Sequence, residues 1–345
     1  MTKLTQFSRG SGCGCKIAPA DLSILLQTDF KSPLDSNLLV GNASNDDAAA
    51  YAIGNEKAIV STTDFFMPMV DDAYTFGRIA ACNAISDVYA MGAKPIMALG
   101  ILGWPLSKLP ATDAQQVLDG ARSMCFEAGI SLCGGHSIES VEPFFGLSVN
   151  GIIDVKNIKQ NNTAKEGDFL FLTKPIGVGI LSAAFKKNIL RTEDYKLMVE
   201  IMTTLNKAGN LLSEIIGVNA VTDVTGFGLL GHLSEMTMGS NLSAEIYLKD
   251  IPLINGIEFY TQQFCYPNIT TKNFNAYSAT THGLNGLEFI TLCDPQTSGG
   301  LLISVAENSV DEYQNIIKQF NPFNVAAKPI GRMVRKGNKS IYVNN

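Results

Sequence analysis

"VTDVTGFGLLGHLSEM", residues 221–236, poses the question on which the fold turns. Gly226, Gly228 and Gly231 spell G-x-G-x-x-G behind a short strand, the pattern of a dinucleotide-binding turn. Two features oppose that reading. The motif lies past residue 220, with no well-formed βαβ unit opening a domain there. Asp223 also stands three residues ahead of Gly226, where its charge would repel a pyrophosphate. A divalent cation between carboxylate and phosphate removes that objection. The stretch therefore reads as a metal-bridged phosphate site rather than a bare Rossmann turn.

Working outward, a chain of 345 residues suggests roughly two domains at about 150 residues each. Such a length buries about three quarters of its unfolded surface and needs no disulfide or metal staple. Charged residues are 17% and hydrophobic residues 46% of the chain. The charged share is below the usual quarter or so, so a carboxylate inside an apolar run carries information. A net charge of −6, a pI of about 5.2 and no lysine or arginine block argue against a nucleic-acid groove. They do not argue against a small anion held by backbone amides, a few lysines and metal ions. Seven widely spaced cysteines fit free thiols in a reducing compartment. The opening "MTKLTQFSRG" lacks the apolar core of a signal peptide. The longest apolar run, 96–104, is far short of the ~20 residues that span a bilayer. The expectation is a cytoplasmic protein that does not enter a membrane.

Residues 1–45 show weak periodicity and many Gly, Ser, Asn and Asp residues, and read as a flexible Gly/Cys-containing N-terminal arm. A first domain over 46–157 carries strand patterns at 48–54 and 57–66, a helix over 73–91 and a strand at 95–102. An amphipathic helix over 112–128 and strands at 131–135 and 144–153 complete it. The polar stretch "DVKNIKQNNTAKEGD" (154–168) places the boundary near Ile158. The second domain, 158–345, has helix patterns at 195–212, 229–236 and 310–319, with strands at 243–248 and 300–305. The fold class is α+β, built of two mixed layers.

In "GCGCK", residues 12–16, two thiols and an ammonium share a glycine-rich segment. A Walker loop would place lysine directly after the last glycine, and here Cys15 intervenes. C-x-C alone supplies only two zinc ligands. What remains is a reactive-thiol layout, in which the ammonium of Lys16 favours thiolate and the glycines let the arm swing. The other reading is an exposed turn with incidental cysteines.

Four aspartates stand out. Asp47 follows Asp46 in "NASNDDAAAY" (42–51), an ordinary polar turn or a site. Asp64 ends an apolar strand in "STTDFFMPMV" (61–70). Over 77–104 the only charges are Arg78, Asp87 and Lys94. Asn83 and Asp87, four apart, share one helix face. A carboxylate so isolated should be protonated, paired with a distant side chain or metal-bound. Asp223 completes the set. Such hard oxygen ligands suit Mg²⁺, which typically takes one or two carboxylates plus substrate phosphates. "CGGHSIES" (133–140) and "CDPQTSGGLL" (293–302) read as glycine-rich turns beside strands, either anion-holding concavities or plain turns. From the residues alone the chain is a metal-nucleotide enzyme with a reactive arm.

Taken together, "GCGCK", "DDAA", "STTDFF", "NAISDVYAMGAKPIMA", "GGHSI", "TDVTGFGLLGH" and "CDPQTSGGLL" resemble the class I selenophosphate synthetase (selenide, water dikinase) family. The last two motifs are shared in looser form with aminoimidazole ribonucleotide synthetase and its ATP-binding relatives; the "GCGCK" arm is specific to the selenium enzymes. The resemblance implies that ATP, selenide and water give selenophosphate, AMP and orthophosphate, supplying selenium for selenocysteine and selenonucleosides. It implies Cys13 as the essential residue and Lys16 as the lysine that meets the triphosphate. Asp47, Asp87 and Asp223 match the Mg²⁺ acids. Ser44, Asn45, Asp46 and Asp64 match nucleotide contacts, as do Gly135, His136 and Ser137, the last three possibly from a partner subunit. A monovalent cation, usually K⁺, a homodimer whose N-terminal sheets join into a barrel, and a cysteine-desulfurase-type selenium donor are also implied. Residues 237–289 follow the family less closely, and no role is carried onto them.

On this reading Mg²⁺ on the three acids screens the triphosphate, Lys16 adds charge that counts most in the transition state, and Cys13 holds or delivers selenium. Two rivals stand beside it. One is an ATP-dependent synthetase of the same fold acting on a nucleotide amide, which needs no thiol arm. The other is a non-catalytic selenium or metal carrier, which has no use for four isolated aspartates.

Overall fold

The computed structural model describes residues 2–17, 19–26, 35–41, 45–284 and 286–345. Six strands form the first sheet: β1 (Leu38–Val40), β2 (Ala49–Gly54), β3 (Lys57–Phe66), β4 (Lys94–Trp104), β5 (Ser131–Glu139) and β6 (Phe144–Asp154). Their order is β1-β2-β3-β6-β4-β5, parallel only between β4 and β5. β3 and β6 pair without interruption from Lys57 opposite Asp154 to Phe66 opposite Phe145. Ala58, Val60 and Phe66 alternate inward along β3. The same two-residue period puts Thr62 and Asp64 on that inner face, at the end where the chain leaves the sheet.

A short helix, α1 (Pro19–Leu25), lies in the arm, and two helices accompany this sheet: α2 (Ala73–Ala90) and α3 (Ala111–Glu127). The Asp72 carboxylate caps α2 by accepting from the Thr75 N–H at 2.8 Å. Because α2 is apolar on nearly every side it is buried almost throughout. Arg78, at its outer end, pairs with Glu127 of α3. The two helices approach closely where Gly77 faces the Val117 carbonyl and Gly120 faces the Tyr74 carbonyl. A Cβ at Gly77 would lie 1.9 Å from the Val117 oxygen.

The second sheet has seven strands: β7 (Phe169–Leu172), β8 (Val218–Asp223), β9 (Ser243–Tyr247), β10 (Thr281–His282), β11 (Leu301–Val305), β12 (Gly331–Val334) and β13 (Ile341–Asn344). Their order is β10-β13-β9-β12-β7-β11-β8. Around it lie α4 (Val178–Lys186), α5 (Thr192–Thr203), α6 (Ala208–Leu212) and α7 (Gly228–Gly239). The apolar core is continuous across the halves. One cluster joins Phe76, Ile85 and Phe145 to Ile180, Met198 and Tyr260.

Two sequence expectations change. The helix pattern over 195–212 is two helices, because Asn206 turns inward and donates to the Ser86 hydroxyl and the Gly299 carbonyl, both at 2.8 Å. The glycine pair of "CGGHSIES" is no turn. It lies inside β5, opposite a register shift in β4 between Ala98 and Gly100. Gly135, at φ 150°, leaves room for the Gly100 carbonyl, which a Cβ would meet at 2.0 Å. The first stretch of the arm packs against the body of the protein, whereas Ile24, Leu25 and Leu26 stand exposed. Leu4–Phe7 and Gly12–Cys15 are single 3-10 turns, and Leu4 and Cys13 are fully buried.

Candidate active site

Five segments meet at one cavity of about 470 Å³. Its lining includes Lys16 from the arm, Asn45, Asp46 and Asp47 before β2, and Thr62 and Asp64 from β3. Asp87 of α2 and Asp223 at the end of β8 complete its acidic side. Phe227, His232 and Tyr277 also line it. Thus the i, i+3, i+4 spacing of Asn83, Ser86 and Asp87 on α2 turns one helix face toward two strand ends.

The aspartates are held by hydroxyls rather than by arginines. Thr62 donates to Asp87 at 2.5 Å, Thr222 to Asp47 at 2.9 Å and Ser86 to Asp223 at 2.5 Å. Asp46 accepts from the Asn161 N–H at 2.7 Å. Burial, followed by the charges of Asp223 and Asp87, pushes the Asp47 pKa well up. Asp87 is raised by burial, then by Asp223 and Asp64, and Asp223 chiefly by burial. Burial alone would lower the Lys16 pKa. The nearby Asp64, Cys13, Asp87 and Asp223 outweigh it and raise it. Lys16 Nζ lies 3.7 Å from Asp64.

Asn83 ties the arm to both halves. Its Oδ1 accepts from the Cys13 thiol at 3.2 Å and from the Ser298 N–H at 2.7 Å, and its Nδ2 donates to Asp64 at 2.7 Å. The Cys13 N–H donates to the Thr297 hydroxyl at 3.0 Å. Ser298 sits at φ 52°, with its carbonyl held by the buried Lys174 ammonium at 2.7 Å. The sequence singled out Asn83 only as a neighbour of Asp87. The hydroxyls of Thr62, Ser86 and Thr222 escaped notice, since nothing in a run of small polar residues marks which one meets a carboxylate.

The expectation that Lys16 makes Cys13 a thiolate is corrected. Burial first, then Asp64, pushes the Cys13 thiol well above its ordinary pKa, and Lys16 offsets only part of this. In this arrangement Cys13 is a protonated hydrogen-bond donor.

The glycines of the opening motif make room for neighbouring protein atoms. A Cβ at Gly226 would stand 2.8 Å from the Cys13 carbonyl, and one at Gly231 2.9 Å from the Tyr277 ring. Gly228, at φ 72°, faces the Cys293 backbone. β8 is an edge strand antiparallel to β11, so no parallel βαβ unit surrounds the motif.

Gly135, His136 and Ser137 are not brought to this cavity. They lie on β5, the exposed edge of the first sheet, beside a smaller hollow with Leu102 and Arg122. Ser44 lies outside the described residues. Among the described residues no three His, Cys, Asp or Glu side chains stand close enough to hold a metal ion by themselves. The donor set still fits Mg²⁺, which completes its shell with substrate phosphates and water. Asp47 Oδ2 is buried without a hydrogen-bond partner, an acceptor that a cation would satisfy.

Comparison with known proteins now decides the family. The AIR synthase related N-terminal domain matches residues 45–153, and the corresponding C-terminal domain residues 165–344. The selenide, water dikinase of Aeromonas hydrophila subsp. hydrophila is 52% identical over 342 residues, covering 99% of this chain and 98% of that protein. The chain belongs to the selenide, water dikinase family. The selenide, water dikinase of Sulfurimonas denitrificans, 50% identical over 95% of both chains, is a second member. The fold, two mixed α/β domains of the AIR synthase type, reaches beyond the family. Thiamine monophosphate kinase from Aquifex aeolicus superposes with a TM-score of 0.65 at 18% identity, over 86% of this chain and 90% of that one. The hydrogenase maturation protein HypE in complex with ATP gives 0.66 at 16%, over 87% and 85%.

Proposed function

We propose that this chain makes selenophosphate from ATP, selenide and water, releasing AMP and orthophosphate. Family membership gives the reaction class. The observation that carries the reading to this site is the seating of the Cys13 and Lys16 arm against Asp47, Asp64, Asp87 and Asp223 at one cavity. A nucleotide-amide synthetase would have no use for that arm, and a selenium carrier none for the acids.

In this proposal Asp47, Asp87 and Asp223 hold Mg²⁺, which when bound neutralises the triphosphate. Asp64, with Asn45, Asp46 and the neighbouring Ser44, contacts the nucleotide. Phosphoryl transfer asks chiefly for positioning and charge neutralisation. Lys16 supplies a fixed positive charge beside the transferred group, and it is pre-aimed by Asp64. Cys13 is the selenium-handling group. Its thiol is released from Asn83 when the arm moves, and the closed arm keeps water from the reacting phosphorus. A monovalent cation, K⁺, accompanies the nucleotide.

The proposal extends to the assembly. The domains are an arm over 1–45, an ATP-binding and dimerisation domain over 46–157 and an α/β domain over 158–345. The exposed β5 edge supports a homodimer whose first sheets close into a barrel, bringing Gly135, His136 and Ser137 to the partner's nucleotide. No helix among the described residues is long and apolar enough to cross a membrane. We place the protein in the cytoplasm, where a cysteine-desulfurase-type donor can supply selenium. Phosphorus NMR of ATP turnover with and without selenide tests the reaction. Selenophosphate and AMP should appear only with selenide and vanish in Cys13→Ser; ADP formed without selenide would overturn it.

A further inference from the structure

A second cavity, of about 380 Å³, shares no lining residue with the acid-lined one. The Gly12–Cys15 turn stands between them: Ser11 and Gly14 line the second cavity, whereas Lys16 lines the first. Thr297, whose hydroxyl accepts the Cys13 N–H, belongs to the wall of the second cavity. Its mouth carries Arg9, Lys186 and Lys187, and its floor the buried Met69, Ile269 and Pro295.

The charge at the mouth is only partly spent. Arg9 reaches Glu142 at 3.6 Å. Lys186 donates to the Gly10 carbonyl at 2.7 Å, which leaves two of its three N–H donors unused. Neither Lys186 nor Lys187 forms an ion pair among the described residues. Asp294 lies beneath Gly179 but is wholly buried, and its Oδ2 accepts the Gly179 N–H.

We propose that this second cavity is an antechamber for hydroselenide, a small, weakly hydrated monoanion that loads on the face of the Gly12–Cys15 turn away from the nucleotide. The inference rests on the selenophosphate reading above. Hydroselenide gains from the cationic mouth and loses little hydration against an apolar floor. A triphosphate suits the apolar floor poorly, because it needs donors and cations around all of its oxygens. The acid-lined cavity offers a lone anion no attraction, and once filled by nucleotide it offers no room. Separate doors let two anionic substrates reach one thiol, with rotation of the turn about Gly12, at φ 49°, exposing Cys13 to the loaded side.

The test uses the full-length enzyme under anaerobic conditions. Lys187→Glu, an exposed change, should raise KM for selenide about fivefold at low salt and less at high salt. Ala183 also lines the cavity, and Ala183→Trp, which fills it, should raise KM for selenide about tenfold or more. KM for ATP and nucleotide affinity should stay within about twofold of the parent in both. Anomalous scattering from crystals soaked in sodium hydroselenide, or in bromide as a stand-in, should place the anion among Lys186, Lys187 and Ser11. Unchanged KM for selenide in both variants, or selenium found only on the acid side of Cys13, would overturn the antechamber. A parent enzyme that makes no AMP with selenide would instead refute the functional reading.

Discussion

At the scale of single residues, the site is a set of carboxyls under mutual pressure. Asp47, Asp87 and Asp223 ionise near pH 4 in the unfolded chain, but burial and their neighbours hold their protons to higher pH in the fold. Between those limits the unfolded state binds fewer protons, so stability of the ligand-free protein falls as pH rises. Asp87→Asn should therefore raise the ligand-free melting temperature at pH 8 by roughly 2–5 °C and shrink the difference between pH 5 and pH 8. It should also lower selenide-dependent turnover by about 100-fold or more. Differential scanning calorimetry at the two pH values, beside the phosphorus assay, checks both; a variant that is less stable at pH 8 would contradict the picture of crowded acids. These acids were legible because charge is scarce around them. Asn83 was not, since an amide within an apolar helix looks the same whether it pairs one group or three.

At the scale of elements, spacing read well where one face dominates and poorly where glycine serves packing. The 3.6-residue pattern located α2 and α3 within about a turn. It also ran α5 and α6 together, because an inward Asn206 does not interrupt periodicity. Gly135 of β5 and the triple glycine after β8 imitate turns or phosphate loops, yet each one clears space for a neighbouring backbone or ring. The α2–α3 contact depends on the same device. Gly77→Ala should destabilise the protein by about 1–3 kcal/mol, because the new methyl must push apart two helix backbones rather than a side chain. Urea denaturation of the variant measures this, and a loss under half a kilocalorie would show that α3 shifts freely.

At the scale of the whole molecule, two domains were legible in the length of the chain, but their sharing of one core was not, since contacts between distant segments leave no local pattern. β5 is the outermost strand of its sheet, with Ile138 about half exposed, and an apolar open edge of this kind invites pairing. If the proposed homodimer pairs through β5, Ile138→Lys should halve the mass in light scattering and lower ATP turnover with it; an unchanged mass would remove β5 from the interface.

That common interior has a practical corollary for anyone dissecting the gene. α2 lends one side to each half, and Asn206 and Ser298 grip it from the far side of the boundary. A cut near codon 158 would strip both fragments of their shared spine, and each should come out of the ribosome sticky and prone to inclusion bodies. Co-expressed, the two pieces should find one another and become soluble together.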